Sequence, residues 1–262
     1  MATLFARCGV ALAILALTAC ATVPDSYSPA APAIPPQAFS HQDFDAVLRD
    51  HVADGVVDYP AVAQDPRLAA YLDQLDRVDP DQLAGRRDRL AFWINAYNAL
   101  AIQGIVNGTT PLTWGGKYRY FVGDKYRVGG GELNLYGLEH KILIPMGEPR
   151  VHFAIVCASR SCPPLRSEVY TAAALDAQLD DQARRFINDP QRNRFDRDHR
   201  VAHLSRIFKW YRDEFEGQAP LTAYVARYVA DPQLAEELRG GGYRVRFLDY
   251  DWRTNGPLPA AG

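Results

Sequence analysis

RLAFWINAYNALAIQGIV, residues 89–106 of the segment Asp88 to Val106, is apolar on nearly every face and is closed by Asn107-Gly108. A helix at a protein surface keeps a polar stripe, so one without it is expected at the centre of a core. The Asn-Gly pair is a natural place for it to stop. Asn95 and Asn98 sit three residues apart on this helix, and a buried amide left without partners costs ~1–3 kcal/mol. They read either as structural amides tying loops to the core or as orienting groups at a site.

Toward the N terminus, Ser40 to Val52 and Arg67 to Val78 carry apolar residues at helical spacing (Phe44, Val47, Leu48; Leu68, Tyr71, Leu72, Leu75), which predicts two amphipathic helices. In the other direction, Trp114 to Leu135 is rich in glycine and tyrosine and reads as a β-hairpin or a long aromatic loop. Asn134 to Ile144 reads as a short helix stopped by Pro145 and carrying Glu139 and His140. Arg150 to Ala158, RVHFAIVCA, is short, β-branched and aromatic, which predicts a buried strand. It leads into SRSCPPLR, where two prolines fix Cys162 at a rigid turn. Further along, a helix is expected over Thr171 to Asn188, a strand over Arg200 to Leu204 and a helix over Ser205 to Phe215. Helical pieces follow over Leu221 to Leu238, with a last strand over Tyr243 to Asp249. The sum is an α+β fold: a single helix-rich domain with a buried central helix and a small, mostly antiparallel sheet.

The first twenty residues, MATLFARCGVALAILALTAC, combine a cation at Arg7, an apolar run from Val10 to Leu17 and small residues before Cys20. The run is well short of the ~20 residues of a membrane-crossing helix, so residues 1–19 read as a signal peptide. Leu17-Thr18-Ala19-Cys20 resembles the processing site of bacterial lipoproteins, which implies cleavage before Cys20 and lipidation of its thiol. No Asp follows Cys20, and in the Gram-negative pattern this favours the periplasmic face of the outer membrane. Acyl chains contributing ~0.8 kcal/mol per buried CH₂ would hold the protein on that membrane. Residues 20–38, rich in proline and alanine, read as a tether. One globular domain is expected over 39–254, with a polar tail over 255–262. A net charge of −2 argues against a nucleic-acid partner, because phosphate binding needs a cationic excess.

FWINAYNAL, GLEHKIL, VHFAIVCASRSCPPLR, LSRIFKWYRDEF and LDYDW occur in this order along the chain, and together they resemble the domain-of-unknown-function family numbered 547. The resemblance spans about 88–252. It implies the same domain, often exported or lipid-anchored in bacteria, and no settled activity. A relation to rearranged papain-like or transglutaminase-like folds is part of the same expectation.

Glu139, His140, His152, Cys157 and Cys162 fall within a short span. Cys8 would leave with the signal and Cys20 would be acylated, so Cys157 and Cys162 are the thiols left to the folded domain. A thiolate beside an imidazole is a strong nucleophile. Cys162, in the turn, is the candidate nucleophile, His140 its base, and Glu139 or Asn98 the orienting group. Asn95, His152, Arg160 and Trp114 are candidate binding residues. Cys157, within the expected strand, reads as a small hydrophobe facing away from His152. The rival reading is a Cys157–Cys162 disulfide, which suits an oxidising periplasm and leaves no nucleophile. The cysteine spacing is wider than that of zinc knuckles, so no metal is assigned, although Cys162, His140 and His152 could meet in space. No cofactor fingerprint is present. Two functions stand: a thiol-dependent hydrolase or acyl transferase acting on an amide or ester, and a non-enzymatic envelope protein binding a small molecule, peptide or glycan. A monomer is expected.

Overall fold

The helix Arg86–Val106 runs through the interior, with Phe92, Ile94, Ala96, Ala99 and Ile105 wholly buried. This is a computed structural model describing residues 21–24, 26–217 and 219–259, so the segment 1–19, expected to be a signal peptide, and Cys20 lie outside the described residues. The central helix stops at Asn107-Gly108, where Gly108 takes a φ of +83° that a side chain would resist. The two amphipathic helices form as Gln42–His51 and Pro66–Arg77 and pack on each other through the stacked rings of Phe44 and Tyr71, 5.0 Å apart. Asp65 caps the second by accepting the Arg67 N–H.

The stretch from Trp114 to Leu135 divides in two. Only Tyr126–Val128 and Gly131–Leu133 pair as a hairpin, turning through Gly129 and Gly130 at positive φ. Trp114–Tyr118 and Arg119–Gly123 are helical, with Thr113 accepting the Gly116 N–H at 3.0 Å as a cap. The helix carrying Glu139 and His140 forms as Leu135–Gly137 continued by a wider turn over Leu138–Leu143.

The expected strand over Arg150 to Ala158 does not form. Pro149–Phe153 is a 3₁₀ helix, and Ile155 to Cys157 follow as irregular chain without a strand neighbour. Its apolar composition reflects the burial of Val151 to Val156, which a short run achieves in either conformation. The partner of this segment is a side chain: Asn98 donates to the Ala154 carbonyl at 3.0 Å and accepts the Val156 N–H at 2.9 Å.

In the C-terminal part, Val201–Leu204 lies between Arg194–Asp196, antiparallel to it, and Arg244–Phe247, parallel to it. The helix expected over Ser205 to Phe215 is broken at Tyr211 into Ile207–Trp210 and Arg212–Glu216. Against this sheet and the helix Leu175–Ile187 a second apolar cluster gathers around Phe153, Phe186, Phe208 and Phe215. Tyr250 packs on both clusters. The result is an α+β, helix-rich fold with small, mostly antiparallel sheets.

Residues 22–24 and 26–34, read as part of a tether, lie along the domain. Asn134 accepts the Thr22 N–H, Gly130 accepts the Ser28 N–H at 3.1 Å, Asp76 accepts the Ala30 N–H, and Ile34 bridges to Val78. Gly130, Gly131 and Gly137 admit this strand of backbone: a Cβ on any of them would collide with Ser28, Pro24 or Thr22. Low side-chain hydrophobicity misleads here because the backbone supplies the contacts. Asn255, assigned to the tail, is likewise seated, accepting from the Tyr59 hydroxyl at 2.6 Å.

Candidate functional site

Where the two apolar clusters meet, a cleft of about 420 Å³ opens. The central helix contributes Tyr97, the Leu138–Leu143 turn Glu139 and His140, the Pro149–Phe153 turn His152, and the segment beyond it Cys157 and Cys162. Trp210 and Tyr211 enter from the break between the two short helices, and Tyr250 and Trp252 from the C-terminal segment. Trp114, 88% exposed, stands at the mouth. Lys117 lies over the Trp252 ring at 4.0 Å and over the Trp114 ring at 5.3 Å, joining these indoles by cation–π contact. Trp210, Tyr250 and Trp252 form a mutual aromatic cluster with centroids 4.5–5.8 Å apart.

Glu139 is 6% exposed and has no cationic partner among the described residues. Its carboxyl group is held by tyrosines: Tyr211 donates to Oε1 in a short hydrogen bond, and Tyr97 reaches Oε2 at 3.5 Å. Burial first, and the Glu139 charge second, push both hydroxyls well above the ordinary tyrosine range, so they remain donors. His152 is enclosed, its ring stacked on Tyr211 at 3.7 Å and its Nε2 2.8 Å from Glu214. His140 stacks on Tyr136, and its Nδ1 donates to the Tyr136 carbonyl at 3.1 Å.

Cys157 and Cys162 are joined as a disulfide, with Cα atoms 6.3 Å apart. This corrects the reading of Cys162 as a free nucleophile. It also reverses the expected accessibility: Cys157 is half-buried, whereas Cys162 is 3% exposed. The reversal follows from the missing strand: the chain after Ala154 brings Cys157 to the cleft wall, and the turn closed by the Cys162 N–H on the Ser159 carbonyl at 3.1 Å buries Cys162. The Tyr250 hydroxyl lies 3.1 Å from the Cys162 sulfur and 3.3 Å from that of Cys157. No histidine nitrogen is hydrogen-bonded to either sulfur among the described residues, so His140 is not placed as a base. Nor do any three or more His, Cys, Asp or Glu residues gather as a metal site among the described residues.

Of the residues singled out in the sequence, Glu139, His140, His152, Cys162 and Trp114 do share the cleft. Asn98 and Asn95 do not. Both ends of each amide are used on backbone, Asn98 on Ala154 and Val156 and Asn95 on the N–H and carbonyl of Tyr170, so both are structural clamps of the central helix. Arg160 faces a separate hollow beside Arg192 and Thr254. Sequence reasoning missed Tyr97, Tyr211, Tyr250, Trp210 and Trp252. Their one signal was the aromatic content of FWINAYNAL, LSRIFKWYRDEF and LDYDW, which local periodicity assigns to packing.

Residues 80–187 match the family described as "Protein of unknown function, DUF547". No curated protein and no solved structure matches the chain.

Proposed function

Residues 80–187 match the DUF547 family, whose description carries no activity, and on that footing we propose that the chain is an envelope protein that binds an apolar or aromatic group of its ligand in the Glu139 cleft. The observation that carries this reading is the lining: indole and phenol rings packed at a tilt to one another around one buried carboxyl group held by tyrosines. Such a surface takes up a peptide side chain or the flat face of a sugar through area and ring stacking. Glu139 would then meet a donor on the ligand. The closed disulfide favours binding over thiol hydrolysis, which needs a free sulfur. It also fits an oxidising compartment. Together with the N-terminal pattern ending at Cys20, that supports export and attachment to the outer membrane by lipid.

Titrating the full-length protein with anilinonaphthalene sulfonate, an apolar fluorescent probe, tests the binding reading. Saturable binding is expected, weakened roughly tenfold by Trp252→Ala or Trp210→Ala. Unsaturable binding, or affinity indifferent to both substitutions, would count against it. For the anchor, Cys20→Ser should move the protein from the membrane to the soluble fraction.

A further inference from the structure

We propose that the Cys157–Cys162 disulfide is a thiol–disulfide exchange centre that oxidises a pair of thiols on a polypeptide segment seated in the cleft. The proposal rests on the ligand-binding reading of that cleft. Both cysteines line it, whereas a purely structural bridge has no need to face a ligand site.

A structural role is also poorly supported by the loop itself. A loop this short gains least from cross-linking, and the residues between the cysteines are already pinned by other bonds. Arg253 accepts the Arg160 N–H at 2.8 Å, Ser161 accepts the Asp251 N–H at 2.8 Å, and Ser159 pairs with Thr254. Arg192 grips the carbonyls of Cys162 and Arg160 at 2.7 and 2.9 Å, bringing its positive charge beside the loop. Between the cysteines, Ala158 holds a φ of +60°, a left-handed conformation unfavourable for a residue with a Cβ.

The donors around the sulfurs suit a leaving thiolate. The Cys157 N–H points at the Cys162 sulfur at 3.0 Å and the Tyr250 hydroxyl lies 3.1 Å from it, while Ser159 donates to Tyr250 at 2.9 Å. Burial pushes the Tyr250 hydroxyl up, so it stays protonated and donates. A disulfide sulfur is a weak acceptor and a thiolate a strong one, so these contacts strengthen as the bond breaks. A substrate thiolate attacks the more exposed Cys157 sulfur. The Cys157–Cys162 bond breaks, and its electron pair leaves on the Cys162 sulfur. The second substrate thiol then attacks the substrate sulfur of the mixed disulfide and expels Cys157. The substrate leaves as a disulfide, and its two thiol protons end on Cys157 and Cys162, which are reduced by two electrons.

To test this, the oxidised full-length protein is exposed to dithiothreitol under native conditions and quenched with iodoacetamide, and each cysteine is read by mass. The disulfide is expected to open without denaturant, roughly tenfold more slowly in Tyr250→Phe and several-fold more slowly when anilinonaphthalene sulfonate fills the cleft. Ser159→Ala, expected to slow it several-fold, replaces Tyr250→Phe if that variant does not fold. A disulfide that opens only in urea overturns the proposal, as does a rate that neither substitution changes. Saturable dye binding beside an inert disulfide removes the exchange and keeps the binding reading. A reactive disulfide without dye binding does the reverse.

Discussion

Replacing Asn98 by alanine should strip the central helix of its hold on the segment leading to Cys157. The amide is 3% exposed and bonds the Ala154 carbonyl at 3.0 Å and the Val156 N–H at 2.9 Å. Alanine leaves both backbone groups buried and unpaired, at ~1–3 kcal/mol each, so a loss of about 3–5 kcal/mol is expected once the small void is included. That is a large share of the stability of any domain. For a chain of this size each kcal/mol is worth roughly 2–4 °C, so the thermal midpoint should fall by about 10 °C. Urea unfolding followed by far-ultraviolet circular dichroism gives the free energy directly. Asn98→Asp is the sharper control, because it keeps an acceptor for Val156 but sets a second oxygen against the Ala154 carbonyl. A loss under about 1 kcal/mol in Asn98→Ala would refute the clamp, since two orphaned groups cannot cost so little.

Other outcomes follow from the same structure. Burial lowers the His41 pKa to about 4, with its Nδ1 bonded to the Tyr71 hydroxyl at 2.7 Å. The unfolded chain takes up the proton first, so this contribution is whole above about pH 6.5 and is lost as the pH falls toward 4, by about 2–3 kcal/mol. His41→Gln should flatten the pH dependence of the urea midpoint, and an unchanged slope would remove His41 as its source. Gly137→Ala would drive a methyl group into the Thr22 carbonyl, so limited proteolysis should cut residues 22–30 faster while the core melts as before. Equal protection in both proteins would mean that the N-terminal segment is not seated there. In Gly104→Ala the new carbon would meet the Tyr126 hydroxyl at 2.8 Å and the Tyr120 ring at 2.9 Å, with an expected loss of about 1–3 kcal/mol in urea unfolding.

The sequence by itself determined whatever depends on neighbours a few residues away. The buried helix Arg86–Val106, the amphipathic pair Gln42–His51 and Pro66–Arg77 and the last strand Arg244–Phe247 were all legible, because hydrophobic period and caps are local properties. So was the concentration of Glu139, His140, His152 and the cysteines in one region. Tertiary structure alone decided what these groups do. It turned RVHFAIVCA from strand to 3₁₀ turn through an amide more than fifty residues away, joined the two sulfurs, and assembled Tyr97, Tyr211 and Tyr250 from distant segments into one wall. A proline-rich segment became ordered because three glycines admit its backbone, a fit that composition cannot register. Each of these outcomes depends on contacts between residues far apart in sequence, and no local pattern encodes which of several competing partners a buried polar group will meet.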